Sequence, residues 1–155
     1  MTMARARRGF TMVELVLVLA IVSVIAAIAI PRFSSAAARY RVKAAARRVA
    51  ADLQQARAMA RATSSNVGIK FTVSAQGSYR FSTSAARDVD GGNVVTLSND
   101  PYLTEITKAD FAGTTIVSFN GFGIGTSGSV MLRSSQWQAT VNVDGATGSV
   151  TIQDP

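Results

Sequence analysis

The chain has no cysteine and no histidine. Without cysteine there is no disulfide framework and no thiolate to act as nucleophile or metal ligand. Without histidine the commonest general base and metal ligand is gone, and the serines, Ser64 and Ser65 among them, have no imidazole to activate them. Proline is scarce at three residues, and Pro31 stands alone in the first hundred positions. Acids are few, nine against sixteen Lys and Arg, for a formal net charge of +7. Only Glu14 and Asp52 fall before Ala62, against Arg5, Arg7 and Arg8 and then Arg32, Arg39, Arg41, Lys43, Arg47, Arg48, Arg57 and Arg61. The basic character therefore belongs to the first sixty or so positions, and the remainder is mildly acidic. A length of 155 residues suits one globular domain plus an N-terminal extension.

What the extension does have is uninterrupted apolar sequence. From Phe10 to Ile30 the chain is Ile, Val, Leu and Ala with almost no polar relief. As a helix that run is roughly 31 Å long, about the hydrocarbon thickness of a bilayer. A helix apolar all round is buried in lipid or among other helices. The arginines ahead of it favour a cytoplasmic N-terminus; the basic residues after it argue the other way, but a long tail translocates largely regardless of charge. The expected topology is N-terminus in, C-terminus out. Glu14 is the anomaly, a carboxylate near the head of the run that costs about 1–3 kcal/mol on insertion scales.

Two processing schemes compete. One is a secretory signal cut after Ala29, in the small-residue pattern Ala27-Ile28-Ala29, releasing a secreted β-domain binding protein. A disposable signal has no use for Glu14. The other cuts between Gly9 and Phe10 and keeps the helix. That frees an amine at Phe10, four residues before Glu14. An intramembrane carboxylate usually faces a partner, and the Phe10 amine of the same or a neighbouring chain is the obvious cation. Between chains, such a pair would fix the axial register of packed helices, as buried polar groups do in coiled coils.

Gly9-Phe10-Thr11-Met12-Val13-Glu14, a basic leader before it and an apolar run ending at Pro31 resemble the prepilin leader and N-methylation motif of type IV pilins and type II secretion pseudopilins. The resemblance implies that a membrane prepilin peptidase cuts after Gly9 and methylates the amine of Phe10. It implies that Glu14 recruits the subunit into a filament by meeting a neighbouring N-terminus. Pro31 matches the family's helix-kinking proline. A plain helix end at the membrane surface is the alternative for Pro31; a kink is preferred because helical patterning resumes at once.

The stretch Arg32–Ala62 is alanine-rich and strongly helix-forming. Val42, Ala46, Val49, Leu53, Ala56 and Ala60 recur at steps of four and three, one apolar stripe, with arginines around it. With the membrane segment it predicts a single helical rod of about 50 residues kinked near Pro31. Basic helices also suit nucleic acid. A solvated face touching lipid headgroups or acidic filament neighbours is preferred here, because no nucleic-acid motif is present. DNA ranks last among the partners, behind the peptidase, other pilin or pseudopilin subunits and inner-membrane lipid.

After Thr63 the period changes to two. Val67, Ile69, Phe71 and Val73 alternate with polar residues, and Tyr79 and Phe81 follow after a turn, which predicts a hairpin. NVVTLS, TTIVSF, SVMLR, WQATVNV and SVTI read as further strands, with Val150 and Ile152 finishing the sheet and Trp137 a core or inter-sheet filler. Asn120-Gly121 and Asp144-Gly145 read as turns. Seven or eight short strands give an antiparallel β-domain whose inner face meets the Val42–Ala60 stripe. The segment from Arg47 into the first strand, and VSFNGFGIGTSGSVML with VNVDGATGSVTI, resemble the GspH/FimT pseudopilin family at Phe119, Gly121, Gly128, Val141, Val143 and Gly148.

The expected fold is α+β and pilin-like: leader 1–9, membrane helix 10–30, amphipathic helix 31–62, antiparallel β-sheet domain 63–155. The expected function is a minor pseudopilin of a type II secretion system, held in the inner membrane with its C-terminal domain periplasmic and then built into a periplasmic filament. A minor type IV pilin serving pilus assembly or DNA uptake is the alternative. No enzyme activity, cofactor or metal is expected. Asp88, Asp90 and Asn93 offer oxygens at alternate positions, as calcium loops do, but lack the third carboxylate and the distal Glu. An Asp/Gly turn explains them better.

Overall fold

The computed structural model describes residues 9–82 and 94–154, the side chains at 30 and 31 excepted. One helix, α1 (Met12–Thr63), precedes eight strands: β1 (Val67–Thr72), β2 (Ser78–Phe81), β3 (Val94–Thr96), β4 (Glu105–Phe111), β5 (Ile116–Phe119), β6 (Gly128–Ser134), β7 (Trp137–Val143) and β8 (Val150–Gln153). The chain divides into two compact units after Ala36. The first carries the apolar part of α1, and helical backbone continues through Pro31.

Within the second unit the alanine-rich stripe does what its period requires. Val42, Ala46, Val49, Leu53, Ala56 and Ala60 are all fully buried, in one core with Ile69, Phe71, Phe111, Val117, Leu132 and Val141. Burying each Val or Leu side chain is worth about 1.5–3 kcal/mol. The helix closes in a Schellman turn: Ser65 N–H donates to Ala60 O at 3.2 Å and Ser64 N–H to Arg61 O at 3.4 Å, with Ser64 in the left-handed region at φ 48°.

The strands form two four-stranded antiparallel sheets, ordered β3-β2-β1-β5 and β4-β6-β7-β8. The β1–β2 hairpin has the expected faces, with Ile69 opposite Phe81 and Phe71 opposite Tyr79. Phe71 packs against Tyr79 and Phe111 at ring-centroid distances of 5.5 and 5.6 Å. A bridge between Ser74 and Ile106 links the first sheet's hairpin turn to β4. Trp137 is half-buried at the edge of the core, with the Arg39 guanidinium 5.0 Å from its ring centroid.

Two expectations are corrected, and one strand, β4, lies where the sequence reading places none. Val73 lies beyond the end of β1 and is exposed, so the alternation there stops one residue earlier than its pattern. Ile152 lies on the edge strand β8, and both it and its neighbours Thr151 and Gln153 are exposed; β8 closes the sheet without adding Ile152 to the core. The strand β4 breaks period two, because its register against β6 shifts between Ile106 and Lys108. The bulge puts Ile106 and then Phe111 inward at an odd separation, and the Thr107 hydroxyl donates to Met131 O at 3.2 Å.

Candidate assembly site at the helix N-terminus

The N-terminal unit presents apolar side chains with nothing of its own to cover them. Phe10 is 75% exposed, and the large apolar residues through Ile28 are exposed likewise. The helix contains an 18-residue window of mean hydropathy 3.0, none of it buried, which is long and apolar enough to cross a membrane. The hydroxyl in the middle of the run is satisfied locally: Ser23 donates to Ala20 O at 2.7 Å.

Thr11 starts this helix. Its hydroxyl oxygen accepts from the Glu14 N–H at 3.2 Å, and its carbonyl accepts from the Leu15 N–H at 3.1 Å. That is an N-cap with glutamate at the third helical position, one half of a capping box. The Thr-x-x-Glu spacing carries this signal in the sequence, and the reading above missed it. Glu14 therefore also sits where the helix dipole favours negative charge. The side chain itself remains exposed, free to face another molecule. A methyl group added at Gly9 would meet nothing within 4 Å among the described residues, so packing against them does not demand glycine there. Arg5, Arg7 and Arg8 lie outside the described residues, as do Asp88 and Asp90. Among the described residues no group of three or more acidic side chains could hold a metal ion.

Several basic residues of α1 are engaged within the chain. Lys43 pairs with Asp154 at 3.1 Å. Arg57 donates to Gly123 O at 3.1 Å and Thr147 O at 2.7 Å, and Arg61 to Phe122 O at 3.0 Å. In the sequence these arginines look like a solvated face; their partners lie more than sixty positions away.

Asp52 is the residue the sequence disguised most. It reads as one acid on a basic helix, but it is 5% exposed. Its carboxylate accepts from Arg48 Nε at 3.1 Å and from the buried Tyr79 hydroxyl. Burial first, and then the Asp52 charge, push the Tyr79 phenol far above its ordinary value. The folded chain thus keeps a proton that the unfolded chain releases above about pH 10. Stability should be unaffected by Tyr79 below that pH and should fall by about 1.4 kcal/mol per pH unit above it. Tyr79→Phe should flatten this alkaline slope in denaturant titrations; an unchanged slope would show that Tyr79 ionises in the folded state.

The comparisons with known proteins agree with this anatomy. A family model described as type II transport protein GspH matches residues 45–147. A second, the prokaryotic N-terminal methylation motif, matches residues 4–30. No curated protein matches the chain in sequence. Among solved structures, the fold is similar to the minor pseudopilin EpsH from the type 2 secretion system of Vibrio cholerae, with a TM-score of 0.57 at 13% identity. That likeness covers 74% of this chain and 98% of the other.

Proposed function

The chain belongs to the GspH family of type II transport proteins, as a minor pseudopilin with a prepilin-type methylation motif, and from that premise we propose how its N-terminus is used. It is a structural subunit, not an enzyme; the motif implies processing by prepilin peptidase, and the family implies other pseudopilins as partners. The apolar helix is consistent with anchoring in the inner membrane and a periplasmic domain.

In our reading, residues 1–9 form a cytoplasmic leader whose Arg5, Arg7 and Arg8 hold it at the inner face of the membrane. Prepilin peptidase cuts after Gly9 and methylates the Phe10 amine. Residues 10–30 cross the bilayer, 31–62 form the amphipathic stretch after a bend at Pro31, and 63–155 form the periplasmic β-domain. Glu14 then meets the Phe10 amine of a neighbouring subunit, and helices of other subunits replace the lipid around the apolar run. Work is done by assembly. Nucleic acid ranks last among the partners in this scheme, because no nucleic-acid motif is present in the sequence.

The observation that carries the proposal is an exposed apolar helix headed by an exposed carboxylate in a capped first turn. The lack of any described neighbour at Gly9 supports it too, because a glycine that packing against the described residues does not require suits recognition by another protein. Mass spectrometry of the mature membrane-embedded protein tests it. The expected N-terminus is N-methyl-Phe10. A chain beginning at Ile30 would mean signal-peptidase release and would end the filament reading.

A further inference from the structure

The loop between β5 and β6 is held more firmly than its exposure requires. Asn120 Oδ1 accepts from the N–H groups of Phe122 and Ile124, both at 3.0 Å. Asn120 N–H donates to Ile124 O at 2.9 Å, and Gly123 N–H to Asn120 O at 2.8 Å. From the last turns of α1, Arg61 grips Phe122 O and Arg57 grips Gly123 O and Thr147 O. Gly123 and Gly148 have φ of 77° and 67°, and side chains there would collide with Arg61 and with Gly123 O respectively. Helix end, loop and the Asp144–Gly148 turn are therefore packed as one block.

This block displays Phe122 at 81% exposure, with Ile124 beside it at 46%. A lone exposed apolar residue is ordinary. An aromatic ring on a loop fixed by so many hydrogen bonds is different, because docking it costs little ordering entropy and buries about 150–250 Å². The base of the loop also carries two positive charges. Arg57 and Arg61 donate to carbonyls, which do not neutralise them, and no carboxylate pairs with either among the described residues. The Asp144 carboxylate is occupied by the Thr147 hydroxyl at 2.6 Å and the Ala146 N–H at 3.0 Å. A complementary surface is an apolar pocket rimmed by carboxylates. The guanidinium groups lie under the loop, bound to its carbonyls, which fits a protein partner with shaped walls better than a lipid headgroup layer.

We propose that the Asn120–Gly125 loop is a docking knob, with Phe122 and Ile124 seating in an apolar, acid-rimmed pocket on the periplasmic domain of another pseudopilin. This rests on the filament reading above and names the surface through which the β-domain takes part in it.

The test uses the full-length chain, produced with the prepilin peptidase and the other pseudopilins of its own system. A photo-crosslinking residue is placed at position 122 in one sample and at Val18, on the apolar helix, in another. The expected result is adducts to other pseudopilins from both positions. In a third sample the crosslinker sits at 124, and adding Phe122→Asp should lower its yield at least tenfold without changing Tm, since Phe122 is nearly free of its own domain. Adducts from 18 but none from 122, or adducts from 122 only to lipid or to a second copy of this chain, would overturn the knob and leave filament assembly intact. No adducts from either position would overturn both.

Discussion

A chain carrying Glu14→Gln should be cut after Gly9, methylated on Phe10 and held in the membrane like the unmodified protein, yet be nearly absent from filaments. The substitution removes the charge and keeps the size. It also leaves the start of α1 in place, because the bond to Thr11 is made by the backbone N–H of residue 14. Locally the loss is a favourable dipole interaction of about 0.3–1 kcal/mol. Between subunits it is larger. In a helix bundle of low dielectric, the neighbour's Phe10 ammonium would be left without its anion, and breaking such a pair from one side costs about 3–5 kcal/mol. Incorporation should therefore drop by about two orders of magnitude or more, read as the ratio of filament to membrane protein. Thr11→Val separates the two roles of this turn. It removes the cap, worth about 1 kcal/mol, and keeps the charge, so it should lower incorporation by no more than about tenfold. Equal defects for the two variants would mean that Glu14 serves only the helix start.

The features legible from sequence are those written in consecutive or periodic residues. The processing motif is a linear string, so Gly9, Phe10 and Glu14 stand out before any fold is known. The Val42–Ala60 stripe follows one helical period, and the β1–β2 hairpin follows strict alternation on both strands. Legibility fails where two distant segments settle the matter. The bulge near Thr107 spoils the alternation of β4 and hides it. The split into two sheets depends on which strands meet, and TTIVSF pairs back with β1 past the whole of β4. Ile152 alternates correctly with Val150, but its strand is last in its sheet and has no layer over that position. Arg57 and Arg61 look like solvated charge until the carbonyls of the glycine loop arrive to accept from them. The Thr11 cap is written in the local Thr-x-x-Glu spacing, but a carboxylate inside an apolar run is the stronger signal at the same residue and masks it.

Asp52 is the other residue whose loss should be large, and it concerns stability alone. Asp52→Ala strips the buried Tyr79 hydroxyl of its acceptor and the half-buried Arg48 of a carboxylate. An orphaned buried hydroxyl costs about 1–3 kcal/mol, and a lost charge-assisted hydrogen bond adds about as much. Arg48 keeps 30% of its side-chain exposure, so water recovers part of its solvation and the total should be about 3 kcal/mol. That corresponds to a fall in Tm of roughly 10 °C for the β-unit, followed by the near-ultraviolet signal of Trp137. The double variant Asp52→Ala with Tyr79→Phe should be more stable than Asp52→Ala alone by about 1–2 kcal/mol, because the orphan hydroxyl is gone. This sign reversal, a second deletion that stabilises, is the signature of a buried polar pair and cannot arise from lost packing. If Tyr79→Phe instead lowers the stability of the Asp52→Ala chain further, the hydroxyl has found water, and Asp52 is holding Arg48 alone.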